Sequence, residues 1–145
     1  MTKDPFLEAA IEEAAKGWAE GGIPIGSVLV RGGKILGRGH NRRVQQGDPM
    51  AHAEIDCLRG AGRIGGYAGT VLYSTLMPCY LCAGAVVQFG IPKVVAGESR
   101  TFPGAKDWLV SRGVEVVDAD DPACVAWMRR MIEEKPALWN EDIGR

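Results

Sequence analysis

Short apolar runs, "SVLV", "TVLYST", "KVVAG" and "VEVV", alternate with stretches of helical character, and this alternation constrains the fold more than any other feature of the chain. Apolar strands separated by helices require a sheet covered on both faces. "IGSVLV" and "KILGRGHN" flank "RGG" and read as a hairpin, so the sheet is expected to be largely parallel after that opening pair. Punctuation sets the helix limits. Asp4 caps a first helix with Pro5 at its first position, and Gly21-Gly22 ends it. The loop "RRVQQGDP" leads to a helix starting near His52, and a helix opening at Pro78 runs to about Phe89, closed by Gly90. "GAKDWLVSRG" is a helix, and Asp121-Pro122 starts another to about Lys135, after which Pro136 interrupts the chain before the tail "ALWNEDIGR". The expected order is α-β-β-α-β-α-β-α-β-α, an α/β fold with five strands. In such sheets ligands sit beyond the strand ends, where helices begin.

A length of 145 residues suits one domain spanning 1–145, and 46% hydrophobic with 24% charged residues is ordinary for a globular protein. A net charge of -1 disfavours broad capture of nucleic acid or anionic membrane, so a polynucleotide partner is not expected. No apolar run approaches a membrane span, and "MTKDPFLEAAIEEAAKGW" lacks the apolar core of a signal peptide. The default location is the cytoplasm, where four cysteines are thiols or metal ligands before they are disulfides.

Two helix starts carry chemistry. In "AHAEIDCLRG" His52 and Glu54 are two apart, so they converge only if His52 stands at the irregular start of a helix and Glu54 in its first turn. In "MPCYLCAG" Cys79 and Cys82 are three apart and project to one side of a helix. The helix N-terminus favours negative charge and is expected to move both thiols toward thiolate, the form that binds zinc. His52, Cys79 and Cys82 make three ligands, one short of a closed structural site, which leaves a fourth position for water and one catalytic Zn2+ per chain. Zinc brings the pKa of its water to roughly 7. Glu54 would then carry protons as general base and acid. Taken singly, His52 could be a hydrogen-bonded helix-start residue and the C-x-x-C pair a redox couple or half a zinc knuckle. His40 could close the site as a fourth ligand. Cys57 and Cys124 lie in apolar helical stretches and read as small core residues.

The ordered set His52, Glu54, Pro78, Cys79 and Cys82 matches the H-x-E…P-C-x-x-C signature of zinc deaminases. With "EGGIPIGSVLV", "GRGHN", "VLYSTLMPCYLCAGAVVQFGIPKVVAGE", "SRGVEVV" and "WNEDIG", nearly the whole chain resembles the cytidine and deoxycytidylate deaminase superfamily, and within it the fungal-type cytosine deaminases. The resemblance implies a three-layer α/β/α sandwich around a central five-stranded mixed sheet, a homodimer, and conversion of cytosine to uracil and ammonia. It also implies a base pocket: Asn41 donates to the pyrimidine carbonyl edge and Asp142 accepts the ring N1–H of a free base. Phe102 and Trp139 wall the ring, with Ile25 near its face. A nucleoside has no N1–H and would leave Asp142 unpaired, so it should be rejected. The tail from Trp139 to Arg145 is expected to act as a lid.

Two positions depart from the pattern. Ala53 stands where the cytosine enzymes have glycine, and Met77 where they have serine, so added bulk could reshape the pocket; "AHAEI" and "PCYLCAGA" are nearer the tRNA adenosine deaminases. The alternatives are a deaminase of guanine or a modified pyrimidine, a tRNA adenosine deaminase, and a structural zinc-binding protein without catalysis. Trp139 could be a plain core anchor, and Asp142 a solvated tail acid.

Overall fold

The computed structural model describes residues 4–145; Met1 to Lys3, which the single-domain expectation includes, lie outside the described residues. The chain runs α1 (Pro5–Ala19), β1 (Gly26–Arg31), β2 (Lys34–His40), α2 (Arg43–Gln46), α3 (Ala53–Ala61), β3 (Thr70–Ser74), α4 (Tyr80–Phe89), β4 (Lys93–Ala96), α5 (Lys106–Ser111), β5 (Glu115–Asp118), α6 (Pro122–Glu134) and α7 (Pro136–Asp142). Five strands form one mixed sheet in the order β2-β1-β3-β4-β5. β1 pairs antiparallel with β2 and β3, whereas β3, β4 and β5 run parallel. The expected α/β/α layering and mixed sheet are what the chain adopts.

Alternation along the strands assigns the two faces. Val28 and Val30 of β1, Tyr73 of β3 and Val95 of β4 pack with Leu7, Ala10 and Cys124, which places α1 and α6 on one side. Leu29, Leu72 and Val94 point the other way, against Cys57, Val86 and Leu109 of α3, α4 and α5. A third cluster caps the sheet end and joins Ile23, Ile25, Ala53, Leu76, Met131 and Trp139. Cys57 and Cys124 are buried in these clusters, as expected of small core residues.

Helix α3 lies unusually close to β2, and two glycines on one face of that strand permit it. A Cβ at Gly37 would meet the Cys57 carbonyl oxygen at 2.6 Å, and one at Gly39 would meet the Cys57 amide nitrogen at 2.6 Å. The His40 amide then donates to Asp56 Oδ2 at 3.1 Å, fixing the register of α3 against the strand.

Helix limits follow the caps. Asp4 Oδ1 accepts from the Phe6 N–H at 2.9 Å, and Asp121 Oδ1 accepts from Ala123 N–H at 2.8 Å. Three expectations need correction. The segment "RRVQQGDP" contains a one-turn helix, α2, closed by Gly47 in the left-handed conformation. Pro78 does not open α4: Cys79 is the N-cap and Tyr80 the first helical residue, so Pro78 stands outside the helix and its carbonyl accepts from the Ala105 N–H at 2.9 Å. Pro136 does not merely interrupt the chain; it opens α7, where its missing N–H has no intrahelical partner to lose. Among the described residues, no helix is long and apolar enough to cross a membrane.

Candidate active site

Two helix starts meet at the end of the sheet. His52 is the N-cap of α3, extended at φ -67° and ψ 158°, and its side chain makes no capping bond. Its imidazole is therefore free to turn toward α4. Cys79 is the N-cap of α4 in the same extended conformation, φ -74° and ψ 178°, and Cys82 occupies the third helical position. His52 Nδ1 lies 3.4 Å from Cys79 Sγ and 3.5 Å from Cys82 Sγ. The three ligand atoms all lie within 4.8 Å of one another. One nitrogen and two sulfurs at that separation fit the soft, tetrahedral preference of zinc.

The electrostatics of the site groups are strongly perturbed. Burial and the negative Cys79 raise the Glu54 carboxyl to about 7. A bond to Cys79 raises His52 to about 9. The two thiols do not both move toward thiolate, contrary to the sequence-based expectation. Cys79 is held at about 4, chiefly by a hydrogen bond from Cys82, whereas Cys82 is pushed up by that same bond and by burial. Two sulfurs this close repel as paired anions, so once Cys79 has lost its proton the buried Cys82 holds its own more tightly. A divalent ion would take that proton's place.

His40 is not a ligand. Its Nδ1 lies 2.9 Å from Glu13 Oε1 and its Nε2 2.9 Å from Glu20 Oε1, so both ring nitrogens are engaged by α1 and its C-terminal end. Among the described residues, the only His/Cys/Asp/Glu group with metal-binding spacing is His52, Cys79 and Cys82.

A cavity of about 300 Å³ opens beside this cluster. Glu54, buried in the first turn of α3, faces it with His52 and Cys79. Asn41 and Ile25 enter from the strand ends, joined by a bond from the Asn41 N–H to the Ile25 carbonyl at 3.0 Å. Asn41 Oδ1 accepts from the Arg43 N–H at 2.9 Å, so its amide NH2 is the group left for a ligand and for Asp142. Phe102 and Trp139 meet edge to face, 5.9 Å between centroids at 89°, and both line the cavity. The Phe102 loop is anchored by Glu98, whose Oε1 accepts from Thr101 N–H at 2.9 Å.

Asp142 lines the same cavity rather than projecting into solvent, and its Oδ1 is buried without a hydrogen-bond partner. Burial pushes its carboxyl up, against the pull of His52 and Arg43. Trp139 is both buried core and cavity wall. Ala53 and Met77 also line the cavity but are almost wholly buried, at 0% and 1% exposure. Met77 Cγ lies against Gly104, where a Cβ would meet it at 3.1 Å, so the methionine chain packs under the neighbouring loop. Cys82 stands behind the wall, fully buried. Leu76, Tyr80, Leu81 and Ile143 complete the lining. The sequence reading passed over them, although Tyr80 and Leu81 stand between the two cysteines and Ile143 follows Asp142.

Comparison with known proteins agrees with this geometry. The family described as the cytidine and deoxycytidylate deaminase zinc-binding region matches residues 1–98. A cytosine deaminase from Candida albicans is 43% identical over 141 residues, covering 95% of this chain and 94% of that protein. A tRNA-specific adenosine deaminase from Bacillus subtilis is 44% identical over 115 residues, covering 77% of this chain and 71% of its own. Among solved structures, a transfer-RNA deaminase that performs A-to-I editing at the wobble position superposes with a TM-score of 0.76 at 28% identity, covering 85% of this chain and 98% of that one. From the paired helix starts to the matched zinc-binding region, the chain belongs to the cytidine and deoxycytidylate deaminase family.

Proposed function

We propose that the chain is a zinc-dependent deaminase of a free nucleobase, converting cytosine and water to uracil and ammonia. The observation that carries the free-base reading is Asp142 Oδ1, buried at the cavity wall with no hydrogen-bond partner. A buried carboxylate oxygen without a donor is costly, and a ring N–H is the donor it lacks. Cytosine offers that N–H beside a carbonyl suited to the Asn41 amide; cytidine does not. The 43% identity to a cytosine deaminase across nearly the whole chain supports the choice of base.

His52, Cys79 and Cys82 would hold one ion per chain, with the fourth position left to water, and zinc there supplies Lewis acidity and a hydroxide near neutral pH. Glu54 would take a first proton from the attacking water and deliver it to ring N3, then take a second from the hydroxyl newly bonded to C4 and deliver it to the amino group, which leaves as ammonia. Phe102, Trp139 and Ile25 hold the ring flat. α7 covers the site and keeps bulk water out. A cavity of about 300 Å³ takes a single base, which favours this reading over a folded RNA. The uncharged outer face of α4, with Tyr80 at 70% and Phe89 at 48% exposure, supports a homodimer built on that helix. Residues 1–145 would form one domain of a cytoplasmic enzyme of pyrimidine salvage.

Ammonia release from cytosine, cytidine, guanine and adenine by the zinc-loaded protein, with Glu54→Gln as blank, tests the proposal. Turnover of cytosine alone, lost in the variant, is the expected result. Turnover of guanine or adenine instead would retain the chemistry and overturn the choice of base. Silence on every base with zinc bound would overturn the enzymatic reading.

A further inference from the structure

One residue, Arg43, reaches both polar walls of the pocket, through its backbone on one side and its side chain on the other. Arg43 is the first residue of α2, and its backbone N–H holds Asn41 Oδ1 at 2.9 Å. Its side chain, only 15% exposed, crosses to α7 at the other end of the sequence. There Nε donates to Glu141 Oε2 at 2.6 Å and Nη2 to the Glu141 carbonyl at 3.3 Å. Nη1 donates to the Pro49 carbonyl at 3.5 Å and forms an ion pair with Asp142 Oδ1 at 3.6 Å, too long for a hydrogen bond. Among the described residues, Arg43 makes the only ion pair to Asp142. α7 has seven residues, of which only Trp139 is buried, so hydrophobic packing alone holds it weakly.

We propose that Arg43 is a positioning residue of this site, clasping α7 against the α2–α3 loop so that Asp142 is aimed at the ring N–H of the substrate. The proposal rests on the free-base reading for its substrate, but the clasp itself does not. A planar fork that meets a carboxylate and a carbonyl together fixes orientation as well as distance. The 3.6 Å gap matters: Arg43 steadies Asp142 without occupying the oxygen that the base would use.

Zinc-loaded Arg43→Ala and Arg43→Lys proteins are compared with the wild type by amide hydrogen exchange, cytosine kinetics and turnover of 1-methylcytosine, which lacks the N1–H. Zinc content and Tm serve as controls for folding. In Arg43→Ala, exchange at Trp139 to Ile143 should rise and the KM for cytosine should increase by roughly 10- to 100-fold, with kcat changing much less. The preference for cytosine over 1-methylcytosine should fall by about tenfold or more. Arg43→Lys should recover little of this, because one ammonium cannot make the same forked contacts. Unchanged exchange in α7 overturns the clasp, whatever the substrate proves to be. A raised KM with the preference intact overturns the aiming role. Full recovery by lysine would show that charge alone matters and also overturn the proposal. If the wild type deaminates no free base, the free-base reading fails separately, and the exchange data still decide the clasp.

Discussion

The chain has two histidines, and the structure treats them in opposite ways. His40 is 3% exposed and held at both ring nitrogens by Glu13 and Glu20. His52 stands at a helix start without a capping bond, its ring turned to two sulfurs and a cavity. Identical side chains thus become a brace and a candidate ligand according to what each nitrogen meets. A carboxylate on both sides leaves nothing for a metal; an imidazole facing two close sulfurs offers a metal three ligand atoms.

Exchanging each histidine in turn should separate these roles. His52→Ala is expected to abolish zinc retention and lower turnover by about a thousandfold or more, measured as metal content and ammonia release. His40→Ala should keep zinc bound and instead destabilise the fold by about 2 kcal/mol in urea titrations, because Glu13 keeps its burial and loses a partner. Loss of zinc in His40→Ala with stability unchanged would erase the distinction.

Acid should reach the brace after the site, because Glu13 keeps its charge to a lower pH than Glu54 or Cys79. Burial pushes the Glu13 carboxyl up, but bonds from His40, Lys16 and Arg38 outweigh it and hold the group at about 2. A folded value below the ordinary 4.5 means that its stabilisation is complete above about pH 4.5 and is lost as pH falls toward 2. Melting temperatures from pH 6 to 2 should therefore fall more steeply in the wild type than in Glu13→Gln, which starts lower. Parallel curves would exclude Glu13 as a contributor. The smallest effect is expected at the surface: Lys16→Gln, which removes an exposed partner of Glu13, should shift stability by no more than about 0.5 kcal/mol.

The same contrast explains what could be read from the residues in order. His52 with Glu54, and Cys79 with Cys82, each stand within one helix start, so their joint pattern is visible in the sequence even though each pair alone is ambiguous. Asp4 and Asp121 cap their helices through bonds two and three residues away, and both were legible for that reason. Contacts between distant segments were not. Nothing local to His40 reveals that its partners stand 20 and 27 residues earlier. Arg43 meets Glu141 across 98 residues, and "RRVQQ" reads as an ordinary basic loop. Pro78 shows the limit of a local rule. Proline favours a first helical turn, but here the chain stays extended through Cys79 while Met77 N–H donates to the Glu98 carbonyl at 2.9 Å and Pro78 accepts from Ala105. Those two tertiary bonds delay the helix and leave Cys79 at its cap.

The close seat of α3 on β2 has a consequence for inheritance. Gly39 touches no substrate and no metal, yet any side chain there would drive into Asp56 Oδ2 and the Cys57 amide, each 2.6 Å from the added carbon. The helix that would have to retreat carries His52 and Glu54 at its first turn. In a population of random variants, Gly39 is expected to be purged as strictly as Glu54. A map of intolerant positions would then draw the active site one layer deeper than the chemistry reaches.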